Sequence, residues 1–157
     1  MALEIERKFL IEEPPAWLGE HQGVEIEQGY LAIGEQAEVR IRRADGACTL
    51  TVKRGEGESR QEVEVPLEPE QIEPLWEACG ERRLRKRRYL VPLDGGLRAE
   101  VDVYRGRLEG LAVVEVEFPD EARAAGFEPP AWFGRELTGD RRFANQALAV
   151  DGVPEGV

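Results

Sequence analysis

Eight short stretches of this chain alternate between polar and apolar residues, at 3–11, 25–32, 37–44, 47–54, 60–66, 84–91, 97–105 and 111–118. A period of two marks a β-strand, whose successive side chains point to opposite faces. In seven of the eight the charges share one face, and this constrains the fold more than any other feature. Glu4, Glu6 and Lys8 share a face of the first stretch, opposite Ile5, Arg7 and Phe9. Arg40 and Arg42 share a face of the third, and Thr49, Thr51 and Lys53 of the fourth. Glu62 with Glu64, Lys86 with Arg88, Glu100 with Asp102, and Glu115 with Glu117 complete the set. Branched apolar residues stand opposite most of them.

An antiparallel sheet with one solvated face also alternates in this way. Two features point elsewhere. The charged face is poor in Ser, Asn and Gln, which fill ordinary surfaces cheaply. The signs are also sorted strand by strand, so like charges repel at i and i+2. Closing the sheet with its charged face inward sets acidic strands near basic ones. Such an interior stays wet, because that many charges cannot be buried dry. The expected fold is therefore mainly β with flanking helices (α+β), a closed eight-stranded antiparallel barrel around a charged tunnel, in one domain over 1–157.

Turn chemistry agrees with this reading. Asp45-Gly46 is a hairpin signal, Gly55-Glu56-Gly57 a loose loop and Asp94-Gly95-Gly96 another turn. Helices are expected at 68–79, 119–126 and 141–150, the first with Pro69 early and Gly80 past its end. The hexapeptides PPAWLG (14–19) and PPAWFG (129–134) read as two proline-started turns, each lodging a tryptophan against the barrel. Cys48 and Cys79 lack metal-ligand spacing and read as buried free thiols. His21, alone in a polar stretch, reads as a surface residue.

A net charge of −11 argues against nucleic acid and anionic membrane as partners. Neither a membrane-spanning apolar run nor a signal pattern is present, so the expected location is the cytoplasm. A small basic pocket inside the acidic shell remains compatible with that charge. Lys8, Arg40, Arg42, Lys53, Lys86 and Arg88 supply guanidinium forks and ammonium point charges suited to phosphate oxygens. The carboxylates, without histidine or cysteine, suit hard cations such as Mg²⁺ or Mn²⁺. Together they suggest a polyphosphate chain gripped by bases, beside divalent ions held by acids. No Walker A or Gly-rich dinucleotide loop is present.

Glu4-x-Glu6-x-Lys8 resembles the ExExK signature of the CYTH superfamily, the triphosphate tunnel metalloenzymes. The resemblance continues in order through QGYL (28–31), VRIRR (39–43), LTVKRG (50–55), QEVEV (61–65), KRRYLV (86–91), EVDVY (100–104), GLAVVEVEF (110–118) and TGDRRFANQALA (138–149). It implies that the six basic residues bind phosphates and that Glu4, Glu6, Glu115 and Glu117 hold the metal, with Asp102 as ligand or close support. It implies that Glu62 and Glu64 orient basic side chains or metal-bound waters. Lys8, with Glu4 and Glu6, takes the catalytic position, helping to place or activate the attacking water. Tyr30 is expected to pack or hydrogen-bond near the tunnel. The EIERKFL start most resembles short bacterial inorganic triphosphatases, so the expected reaction is metal-dependent hydrolysis of tripolyphosphate, a small-molecule substrate, to pyrophosphate and phosphate. Cyclisation of ATP, hydrolysis of a nucleoside or thiamine triphosphate, and polyphosphate binding without turnover are the alternatives. The pattern leaves a homodimer open. RRLRKRR (82–88) holds more base than the family motif needs, with Arg85 and Arg87 expected outside as a solvated patch. Arg7 has no assignment.

Overall fold

The computed structural model describes residues 5–55 and 61–157. Glu4 and the loop residues Glu56 and Gly57 lie outside these. All eight expected strands are present: β1 (Ile5–Leu10), β2 (Gly23–Ile33), β3 (Ala37–Ala44), β4 (Ala47–Arg54), β5 (Gln61–Pro66), β6 (Arg83–Pro92), β7 (Arg98–Arg105) and β8 (Ala112–Phe118). They form one antiparallel sheet in the order β1-β8-β7-β6-β2-β3-β4-β5. The β3–β4 hairpin turns at Asp45-Gly46, both with positive φ (51° and 77°), as a two-residue primed turn requires.

The sheet does not close into a ring. Among the described residues no ladder joins β1 to β5. The reason is visible at β1, whose free edge is already occupied. Leu10 N donates to Arg135 O (2.9 Å), Leu137 N to Lys8 O (2.7 Å) and Gly134 N to Leu10 O (2.6 Å). A strap running from Gly134 to Thr138 thus takes the hydrogen bonds that a β5 neighbour would need. Arg7 holds that strap. Its guanidinium pairs with both Glu136 oxygens (2.9 and 2.7 Å) and donates to the carbonyls of Ala124 and Phe127.

The sheet's two faces pack differently. On the outer face Phe9, Val101, Val114, Val116 and Phe118 form a core with Leu18, Ala124 and Phe133. Helix α2 (Glu121–Gly126) and a 3-10 turn at Ala16–Glu20 belong to this covering. The two repeated hexapeptides meet here, with Trp17 edge-on to Trp132 at 5.3 Å. His21 stands against Trp17 at 5.4 Å, half-buried rather than on open surface. Helix α1 (Pro69–Ala78) starts with a Glu68/Gln71 capping box and seats Cys79 against Gly29 of β2. A Cβ added at Gly29 would lie 2.7 Å from Cys79 Sγ, so that approach requires glycine. Both cysteines are buried free thiols.

On the inner face Tyr30, Leu84, Tyr104, Val113, Phe143 and Leu148 form a second core. The third expected helix, 141–150, divides. Arg141–Phe143 is a 3-10 turn, Ala144 is extended, and α3 runs Asn145–Asp151. Asp140 caps the turn, its carboxylate accepting from Arg142 N (3.1 Å). The short α3 lies under the sheet and closes one part of the charged hollow.

Candidate functional site

Cross-strand register places the inner charges in rows. Lys8 faces Glu115, Glu115 faces Glu100, and Arg88 faces Asp102. The centre is a buried ion cluster. Arg88 donates to both oxygens of Asp102 (2.8 and 3.0 Å) and lies 3.3 Å from Glu100. Lys86, 0% exposed, brings its ammonium to 2.9 Å from Asp102 Oδ2. Its ammonium also stands 5.7 Å from the Tyr104 ring, whose hydroxyl donates to Asn145 on α3 (2.6 Å). Next along, Arg42 donates to Gln28 Oε1 (3.0 Å), and Gln28 Nε2 donates to the Tyr30 hydroxyl (2.9 Å). Arg40 is buried, and its Nε has no hydrogen-bond acceptor among the described residues.

Burial and mutual repulsion shift the protonation of the clustered cations. Burial pushes Lys86 down to about 8; Asp102 opposes this, while Arg88 and Arg42 push the same way. Burial, then Arg40 and Arg88, push Arg42 down to about 10. Burial alone would raise Asp102, but Lys86 and Arg88 outweigh it and hold the carboxyl at about 2. Burial raises Tyr30 to about 12, so its hydroxyl keeps its proton. A cluster whose members hinder one another's charge is completed by an anion.

Asp102, read from the sequence as a metal ligand or its support, is engaged through both oxygens by Arg88 and Lys86. Lys8 is fixed between Glu115 Oε1 (3.1 Å) and the Phe143 carbonyl (3.2 Å). Glu6, Glu100, Glu115 and Glu117 line one cavity of about 370 Å³ at the end of β7 and β8. Their oxygen-only chemistry fits a hard divalent ion, although no three described acids already stand close enough to hold one. Lys53 lies apart from the buried cluster, on a second cavity with Glu38 and Arg141. Glu62 faces Lys53 and Glu64 faces Thr51, but both glutamates are exposed on the outermost strand. Gln28, fully buried, and Glu38, 8% exposed, are site residues that sequence reasoning passed over. Each shares the parity of a residue already singled out, Tyr30 and Arg40 respectively, and that was the available signal.

Comparison with known proteins gives the family and the fold. The CYTH domain profile matches residues 2–143. An inorganic triphosphatase of Nitrosomonas europaea is 44% identical over 148 residues, covering 94% of this chain and 97% of its own. One from Acetivibrio thermocellus is 37% identical over 151 residues, covering 94% of each. A crystal structure of an inorganic triphosphatase superposes with a TM-score of 0.79 at 41% identity, over 98% of both chains. A Hippeastrum protein, described as a candidate adenylyl cyclase with dominant triphosphatase activity, shares the fold at 17% identity, with a TM-score of 0.55 over 79% of this chain and 83% of its own.

Proposed function

This chain belongs to the CYTH family, and from that premise we propose that it is an inorganic triphosphatase, cleaving tripolyphosphate to pyrophosphate and phosphate with a divalent metal ion. The observation that carries the reading is the cluster of buried and half-buried cations on the inner face. Lys86 and Arg88 pair with buried Asp102, whose charge also acts on Arg42, while Arg40 is buried on the same face of β3 as Glu38, and Arg40 Nε has no acceptor among the described residues. A chain of phosphates supplies the acceptors these donors lack. Arginine forks bind phosphate oxygens two at a time and fix the chain in line. The two inorganic triphosphatases above 35% identity support the same substrate.

Glu6, Glu115 and Glu117, with Glu4 outside the described residues, would hold Mg²⁺ or Mn²⁺. The bound ion would neutralise charge on the phosphate oxygens. Glu115 has a second task, because its contact with Lys8 sets that ammonium beside the same carboxylates. Lys53, on the adjoining rim, steers the anion inward. Lys86, fully buried with its ammonium on Asp102, would add a fixed cation to the phosphate grip. Arg88 and Asp102 keep its ammonium end in place. Glu62, directly opposite Lys53 on β4, would orient that ammonium, and Glu64, opposite Thr51, would lie beside it.

The test is phosphate release from tripolyphosphate, ATP and thiamine triphosphate, with Mg²⁺ or Mn²⁺ and with chelator. Tripolyphosphate is expected to be the best substrate, with chelator abolishing turnover. Cyclic AMP formation from ATP, or tight tripolyphosphate binding without hydrolysis, would overturn the reading.

A further inference from the structure

The outward face of β6 carries charge that the inner site does not use. Arg83, Arg85 and Arg87 occupy alternate positions, and Arg85 stands directly opposite Arg105 of β7. Like charges facing each other across a sheet are destabilising. In a chain of net charge −11 the stripe is a local reversal of sign. Glu25 answers part of it, accepting from Arg87 (3.1 Å) and Arg105 (2.9 Å). Glu27, opposite Arg85, is the other acid of these rows. Arg85 itself is exposed and makes no ion pair among the described residues.

Beside the stripe is a cavity of about 360 Å³, whose wall sets four arginines (Arg83, Arg85, Arg105 and Arg107) and one acid, Glu27, around Trp76 and Leu108. Part of this wall is already fixed. Arg83 lies 4.9 Å from the Trp76 ring and donates to the Trp76 carbonyl (2.8 Å), while its buried Nε finds no acceptor among the described residues. Arg107 is held by the carbonyls of Glu81 and Ala149. We propose that this outer cavity is a second binding site, for a small phosphorylated ligand with an aromatic body, of the class of a nucleoside monophosphate. Arg85 and Arg105 match the phosphate, as guanidinium forks do. The half-buried Trp76 ring, with the Arg83 and Arg43 guanidiniums 4.9 and 5.1 Å from it, offers apolar surface that an inorganic phosphate would leave wet, and the volume suits a ligand of that size. The site and the triphosphate hollow share β6 but use opposite faces of it, since Lys86 and Arg88 point inward.

The test is tryptophan fluorescence of the whole chain titrated with AMP, with pyrophosphate as the inorganic comparison. AMP should quench saturably, and Trp76→Phe should remove the signal. Arg85→Glu should weaken AMP binding roughly tenfold or more while leaving tripolyphosphate hydrolysis unchanged. The binding readout stands whatever the inner site hydrolyses. No saturable quench, equal binding of pyrophosphate, or full affinity in Arg85→Glu would each overturn the proposal.

Discussion

Strands β5 and β7 carry nearly the same word, Glu62-Val63-Glu64-Val65 against Glu100-Val101-Asp102-Val103. Their fates differ. Val101 is 0% exposed and Asp102 5%, whereas Val63 and Val65 are 59% and 43% exposed. Alternation made both segments strands and fixed which residues share a face. Neighbours decided the rest. β7 lies between β6 and β8, with a core on one side and Lys86 and Arg88 on the other. β5 is the outermost strand, paired only with β4. An acid in the first position must satisfy cations, and in the second it faces water.

Removing one acid from each strand should give the largest contrast. Asp102→Ala leaves Lys86 and Arg88 buried without their carboxylate, and should cost about 3–5 kcal/mol in urea unfolding. Glu64→Ala should stay within about 0.5 kcal/mol. Equal costs would mean that β5 is as deeply integrated as β7. The valines give a smaller contrast. Val101→Ala should lose about 2 kcal/mol by thermal or urea unfolding, from two buried methyl groups and the space they leave. Val63→Ala should again fall within about 0.5 kcal/mol.

Acid unfolding sharpens the comparison further. The Asp102 carboxyl is depressed from 3.8 to about 2, so its stabilising effect is present above pH 4 and disappears as pH falls from there to 2. That limb should be worth about 2 kcal/mol and should flatten in Asp102→Asn. Glu64→Gln should leave it unchanged. Lys86 has the opposite sign. Its depressed pKa means that the cost of burying its charge is present below pH 8 and is relieved as pH rises towards 10.5.

Most of the sheet was legible because side-chain parity is a local property. The eight strands, the Asp45-Gly46 turn and the inward set Lys8, Arg42, Lys86 and Arg88 follow from spacing alone. Ring closure was not legible. It depended on which segment takes the outer edge of β1, and the chain from Gly134 to Thr138, more than 120 residues away, takes it. Arg7 had no role on its own strand for the same reason, since its partner is Glu136. Asp102 read as a metal ligand because carboxylates are generic oxygen donors. Only the register placing it opposite Arg88 and beside Lys86 shows what its oxygens touch. Pro74 inside α1 is a feature for which the structure offers no functional account.

The central claim is that the inner cations form an incomplete cluster waiting for phosphate, and Arg40 is where it can be tested most directly. Calorimetric titration of tripolyphosphate into the wild-type chain and into Arg40→Gln, alongside urea unfolding of both, separates binding from folding. The account predicts that affinity falls roughly tenfold to a hundredfold while stability holds or rises, because a buried Nε donor with no acceptor among the described residues has been removed. Unchanged affinity, or a large loss of stability with binding intact, would contradict it.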